Sequence, residues 1–283
     1  MRCSILFTSA LSASTVIAVP TWPAFSKSVP MPAQLETMSS WFNALAKVVQ
    51  DGRASPRNPV CDLSQVKLPE SALPPPSAGL YLKHVAVGRG TQNYTCDTSN
   101  PSSAPVLFGA VATLFNASCI ASSYPDVLQL VPKTALQFDL PAAAGGPPRP
   151  AGGPGGPGGP GGPAEKMGPI DYVLSGHHFF TDVTTPYFNL DTTPGSQYGT
   201  IPCAKLNQTA APADAPKGQQ GEAAVAWLKL RSKDGATGDL QEVYRVGTAG
   251  GSSPATCEGM PSSFEVQYSA EYWFYAGSKP KYD

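Results

Sequence analysis

The stretch from Phe264 to Tyr275 constrains this chain more than any other. Phe264, Val266, Tyr268, Ala270, Tyr272 and Phe274 alternate with Glu265, Gln267, Ser269 and Glu271. Successive side chains of a strand point to opposite faces, so the alternation predicts a long strand with one apolar and one polar face. Trp273 and Tyr275 break the polar side, which predicts a partial cover over its last residues. Such a strand needs partners. Candidates are Leu80–Val87, Gln92–Cys96, Val106–Phe115, Tyr172–Phe180, Tyr187–Leu190, Ala223–Arg231 and Gln241–Thr248. The unbroken apolar run Val106–Phe115 suits a strand buried on both faces. Gly88-Arg89-Gly90 reads as a turn or bulge between the first two. No helix-strand rhythm runs through these segments. The expected fold class is mainly β: an antiparallel β-sandwich or partly closed barrel.

The remaining chain organises around that β domain. Arg2 followed by the weakly apolar Ile5–Ile17 reads as a secretory leader, residues 1–18, with Val16-Ile17-Ala18 as the cleavage site. Residues 19–78 form an N-terminal region. Within it Leu35, Met38, Phe42, Leu45, Val48 and Val49 recur at helical spacing, predicting a helix over 34–50 that stops at Asp51-Gly52. A Pro-rich wrap pinned by Cys61 follows. Residues 79–283 are the β domain, with a short helix or irregular turns at Asp126–Gln137. Residues 142–163, with four consecutive Gly-Gly-Pro triplets from Gly152 to Pro163, read as a solvated Gly/Pro-rich inserted loop.

Lys and Arg number 19 against 20 Asp and Glu. That balance gives no basic field for nucleic acid or an anionic membrane. Removing the leader takes Cys3 with it and leaves Cys61, Cys96, Cys119, Cys203 and Cys257. An oxidising compartment favours pairing, and an odd set leaves at least one thiol free or paired to another chain. The spacings match no zinc pattern. Asn93-Tyr-Thr95, Asn116-Ala-Ser118 and Asn207-Gln-Thr209 are glycosylation sequons.

Few motifs carry chemistry. Gly88-Arg89-Gly90-Thr91-Gln92-Asn93 has the first two glycines of a dinucleotide turn, but Asn93 replaces the third and strand-like Tyr94-Thr95-Cys96 follows. Close helix–strand packing needs that third glycine, so no nicotinamide cofactor is expected. No nucleophile elbow occurs. Adjacent His177 and His178 face opposite sides of a strand, and one of them with His84 and Asp171, Asp182 or Glu271 is the best candidate for a metal or acid–base site. Trp273 and Tyr275, on the otherwise polar face, are the aromatics best placed to stack on a sugar or grip a partner.

Several segments resemble one secreted family. Val85–Cys96 is similar to its opening signature. Gly176-His-His-Phe-Phe180 with Thr185-Pro-Tyr-Phe188 is similar to its middle one. Ala226–Leu230, Val243–Gly251 with Pro254 and Cys257, and Val266–Tyr275 are similar to its closing ones. The family is the fungal and bacterial domain of unknown function 3455, and the resemblance spans roughly 60–275. Fungal members often carry the label "malate dehydrogenase", a label the missing cofactor turn argues against. The resemblance implies disulfides Cys96–Cys257 and Cys61–Cys119, with Cys203 free.

The expectation is a secreted, extracellular, non-enzymatic module that binds a cell-wall glycan or an extracellular protein. Its binding patch joins Gly88, Arg89, Gly90, Gln92, His177, His178 and Arg245, with Trp273 beside it. Arg89 or Arg245 would hold carboxylate or sugar oxygens. The alternative is a secreted hydrolase or metal-dependent oxidoreductase using His177 or His178. A structural wall component is a third class.

Overall fold

The computed structural model describes residues 61–136, 174–192 and 197–277. The expected leader, the helix over 34–50, the insert 142–163 and Asp171 lie outside the described residues.

Eight strands follow in order: β1 Tyr81–Thr95, β2 Val106–Asn116, β3 Leu174–Asp182, β4 Thr185–Asn189, β5 Thr200–Thr209, β6 Trp227–Ser232, β7 Leu240–Gly250 and β8 Ser263–Ala276. Each runs antiparallel to the next, and β8 returns to pair with β1 along its whole length. The sheet is therefore a closed barrel. The expected mainly β, antiparallel fold is the one observed; of its two alternatives it is the barrel, and the barrel is fully closed. Closure removes the free edges that an open sheet would expose.

Two boundaries differ from the sequence reading. Gly88-Arg89-Gly90 neither turns nor bulges; β1 passes straight through it as one strand of 15 residues. Gly88 pairs Leu114 and Ala270, and Gly90 pairs Ala112 and Tyr268. Neither glycine has positive φ. What glycine supplies here is room: a Cβ on Gly88 would lie 2.6 Å from the Tyr272 ring, and one on Gly90 would meet the Val111 carbonyl. The second difference is β5, which the sequence reading missed. Pro202 and the exposed run Lys205–Gln208 hide its alternation.

Alternation divides the strands into two packed layers. Ala86, Ala110, Ala112, Leu114, Phe188, Leu190, Ile201, Cys203, Leu230, Val243, Tyr268, Ala270, Tyr272 and Phe274 fill the barrel. Small residues of β1 and β2 face large rings of β4 and β8, and an eight-stranded barrel has an interior just wide enough for such side chains or one small ligand. The apolar face of β8 is this inner one. A second core forms outside, where Val85, Val87, Tyr244, Val246, Trp273 and Tyr275 meet α1 (Ser118–Ser123), α2 (Pro125–Ala135) and Leu73 of the wrap. The wrap is fastened by polar contacts. Lys229 Nζ lies 3.1 Å from Glu242 Oε1 and donates to the Pro75 carbonyl. Ser77 Oγ donates to Glu242 Oε1, and the Tyr244 hydroxyl donates to the Pro74 carbonyl. Near its first residues β2 is bare: Val106, Leu107 and Phe108 are exposed, against the expectation of burial on both faces.

Candidate binding site inside the barrel

Strand parity splits the expected patch. Gly88, Gly90, Gln92, His178 and Arg245 face inward, opposite Ala270, Tyr268, Ala110, Ala112 and Tyr272 respectively. Arg89, His177 and Trp273 face outward, so the barrel wall separates them from the other five. The expected patch is thus divided between the two faces of the wall. Arg89 is 2% exposed. Its guanidinium donates to the Ala135, Gly90 and Tyr268 carbonyls and to Gln267 Oε1, which ties the end of α2 to β1 and β8. Trp273 is buried in the outer core and donates to Glu271 Oε2 at 2.9 Å. Neither side chain meets solvent, because helices and wrap cover the polar face of β8. His177 is half-buried on the outside, opposite Thr113 and Asn189.

The inward five meet two tyrosines that sequence reasoning had assigned to core alone. The Tyr268 and Tyr272 hydroxyls lie 2.8 Å apart in the barrel interior. The Gln92 amide lies beside the Tyr268 hydroxyl and the Arg245 guanidinium beside that of Tyr272. Burial holds both phenols above their ordinary value, so they stay protonated. Arg245 anchors itself on the Ala226 carbonyl through Nε at 3.3 Å and Nη2 at 2.9 Å. No carboxylate of the described residues pairs with it. His178 stacks on Phe188 with ring centroids 4.3 Å apart. Its Nδ1 lies 3.0 Å from the Tyr187 carbonyl, which only an N–H can satisfy. The lone pair therefore sits on Nε2. Burial, with the Arg245 charge adding to it, pushes His178 down to about 3, so the imidazole is neutral.

One polar atom in this cluster is left over. Gln92 is 1% exposed, and its Nε2 has no hydrogen-bond partner. An unsatisfied buried donor costs roughly 1–3 kcal/mol.

The other buried histidine is fully occupied. His84 Nε2 lies 2.8 Å from Ser175 Oγ and Nδ1 lies 3.0 Å from Ser118 Oγ. The ring stacks on Tyr198, and burial lowers it to about 3. With both nitrogens bonded, this histidine clamps the start of α1 to β1 and β3. Of the carboxylates named with it, Asp182 is exposed in the β3–β4 hairpin and Glu271 lies outside the wall. Among the described residues no three His, Cys, Asp or Glu side chains gather as a metal site. The segment Gly88–Gln92 is strand interior and offers no phosphate-cradling turn.

Cys96–Cys257 and Cys61–Cys119 are disulfides, and Cys203 is a free thiol buried in the barrel. These are the pairs that the resemblance implies. Of the three sequons, Asn207 is exposed on β5. Asn93 and Asn116 are half-buried, and Asn116 Oδ1 accepts from the Ser118 amide.

Fold and interior together define a closed, antiparallel, eight-stranded barrel with a charged and hydrogen-bonding centre. Residues 76–276 match the family model described as "Protein of unknown function (DUF3455)", and the chain belongs to that family. No match was found among curated proteins or among solved structures.

Proposed function

We propose that this protein is a secreted, non-enzymatic binding module whose ligand site is the barrel interior around Arg245, Gln92, Tyr268, Tyr272 and His178. The observation that carries the reading is unspent polar capacity. A buried guanidinium has no counter-charge among the described residues, and a buried amide N–H beside its cluster has no acceptor. Polar interiors are normally satisfied, and an unsatisfied group calls for a partner. The interior position favours a small molecule over a protein or an extended glycan; a single sugar unit released from a cell wall belongs to this class. The two disulfides are compatible with an extracellular setting.

Isothermal titration of the purified protein against small sugars and organic acids tests this reading. One-to-one binding that is lost in Arg245→Gln supports it. Equal binding by the wild type and Arg245→Gln contradicts it. Sequencing the N-terminus of protein recovered from culture medium tests export: a mature chain that starts near residue 19 is the expected result.

A further inference from the structure

The charge and donor inventory of the interior narrows the ligand, provided that the barrel interior is the binding site. Arg245 is the one cation of the cluster. Lys229 is spent on Glu242 outside the wall, and Arg89 is spent on carbonyls and Gln267. His178 stays neutral. Beside Arg245 lies the Tyr272 hydroxyl, and the Tyr268 hydroxyl and the Gln92 amide follow in line, all of them neutral donors. His178, whose ring centroid lies 5.7 Å from that of Tyr272, keeps an acceptor lone pair on Nε2.

From this juxtaposition we propose that the barrel binds a small organic monocarboxylate, its carboxylate paired with Arg245 and hydrogen-bonded by Gln92 Nε2.

Three classes compete, and charge decides among them. A neutral sugar leaves the guanidinium uncompensated in a low-dielectric interior. A dicarboxylate or phosphate brings a second negative charge with no cation to meet it, and an unpaired buried charge is costly. A monoanion balances the site. A carboxylate accepts two parallel bonds from a guanidinium, and charge-assisted bonds are about twice as strong as neutral ones. It also supplies the acceptor that Gln92 Nε2 lacks.

The test is titration calorimetry of the whole secreted chain with five probes: gluconate, lactate, succinate, inorganic phosphate and glucose. The expected result is saturable binding of gluconate or lactate, with succinate, phosphate and glucose at least about tenfold weaker, a difference of 1.4 kcal/mol. Arg245→Gln abolishes monocarboxylate binding, and Gln92→Leu weakens it about tenfold. A Gln92→Leu protein of native melting temperature that binds gluconate at full strength overturns the assignment, and it keeps the test decisive where Arg245→Gln fails to fold. Tighter binding of glucose or succinate than of either monocarboxylate overturns the charge argument and leaves interior binding standing. Absence of binding by all five probes overturns both.

Discussion

Glu271 sits on the outer face of β8 between Val87 and Val246, beneath the outer core. Burial lifts its carboxyl from 4.5 to about 7, although Trp273 Nε1–H favours the ionised form. The sign follows from linkage. Between pH 4.5 and about 7 the unfolded chain ionises this group while the folded chain keeps it protonated. Stability is lost as pH rises through that window, by about 3 kcal/mol at most. The Glu271→Gln variant is therefore predicted to melt several degrees above wild type at pH 8 and at the wild-type temperature at pH 4. The buried histidines act in the opposite sense. His84 and His178 fall from 6.5 to about 3, so the stability of their neutral forms is complete above pH 6.5 and is lost as pH falls toward 3. Thermal denaturation across pH 3–9 is predicted to show a maximum near pH 6.5; a maximum below pH 5 contradicts the burial of both rings. Gly88 supplies a steric test at the same scale. The Gly88→Val side chain would enter the space of the Tyr272 ring, and overpacking of this kind costs about 1–3 kcal/mol, read as a lowered denaturation midpoint.

Among the elements, the wrap shows how much of the outer face depends on a few contacts. Lys229 and Glu242 are both buried, and Ser77, Pro75 and Pro74 are tethered around them. Replacing Lys229 by Met leaves the Glu242 carboxylate unpaired, and breaking a buried pair in this way costs about 3–5 kcal/mol. Limited proteolysis is predicted to cut Lys229→Met between residues 61 and 80 under conditions that leave the wild type intact. β1 makes a second prediction. Its glycines are paired on both sides, so hydrogen exchange at Gly88 and Gly90 is expected to be as slow as at Val85 and Val87; fast exchange there would restore the turn reading.

These elements also show what was legible in the chain. The alternation of β8 named its inner face correctly, since that periodicity is a local property of a strand. Parity alone also separates Gly88, Gly90 and Gln92 from Arg89, and His178 from His177. What parity does not carry is the depth of the outer face. The break in the polar side at Trp273 and Tyr275 signals a cover there, but Arg89 gives no such sign until α2 is placed beside it, and that contact joins residues far apart in sequence. Tyr268 and Tyr272 were read as packing alone, yet two hydroxyls on core-facing positions of one strand must find partners. That requirement was the available signal for the interior cluster. Gly88 and Gly90 misled because a glycine that makes room for a ring and a glycine that turns the chain look alike in sequence.

For the whole molecule, a meander of neighbouring strands closes on itself and two disulfides lock distant parts together. Cys96–Cys257 joins residues 161 apart, holding the end of β1 to the loop before β8. Chain entropy assigns such a crosslink about 5 kcal/mol. Cys257→Ser is predicted to lower the melting temperature by on the order of 10 °C. Closure also encloses the inward groups, and under the proposed function they are reached by small molecules and not by surfaces. The most direct test of that claim is a proton–nitrogen NMR titration with gluconate that follows the side-chain signals of Gln92 Nε2 and Arg245 Nε. The account predicts saturable shifts at both, with the outward Gln267 amide unmoved. Shifts confined to outer residues, with Gln92 and Arg245 silent, would contradict it.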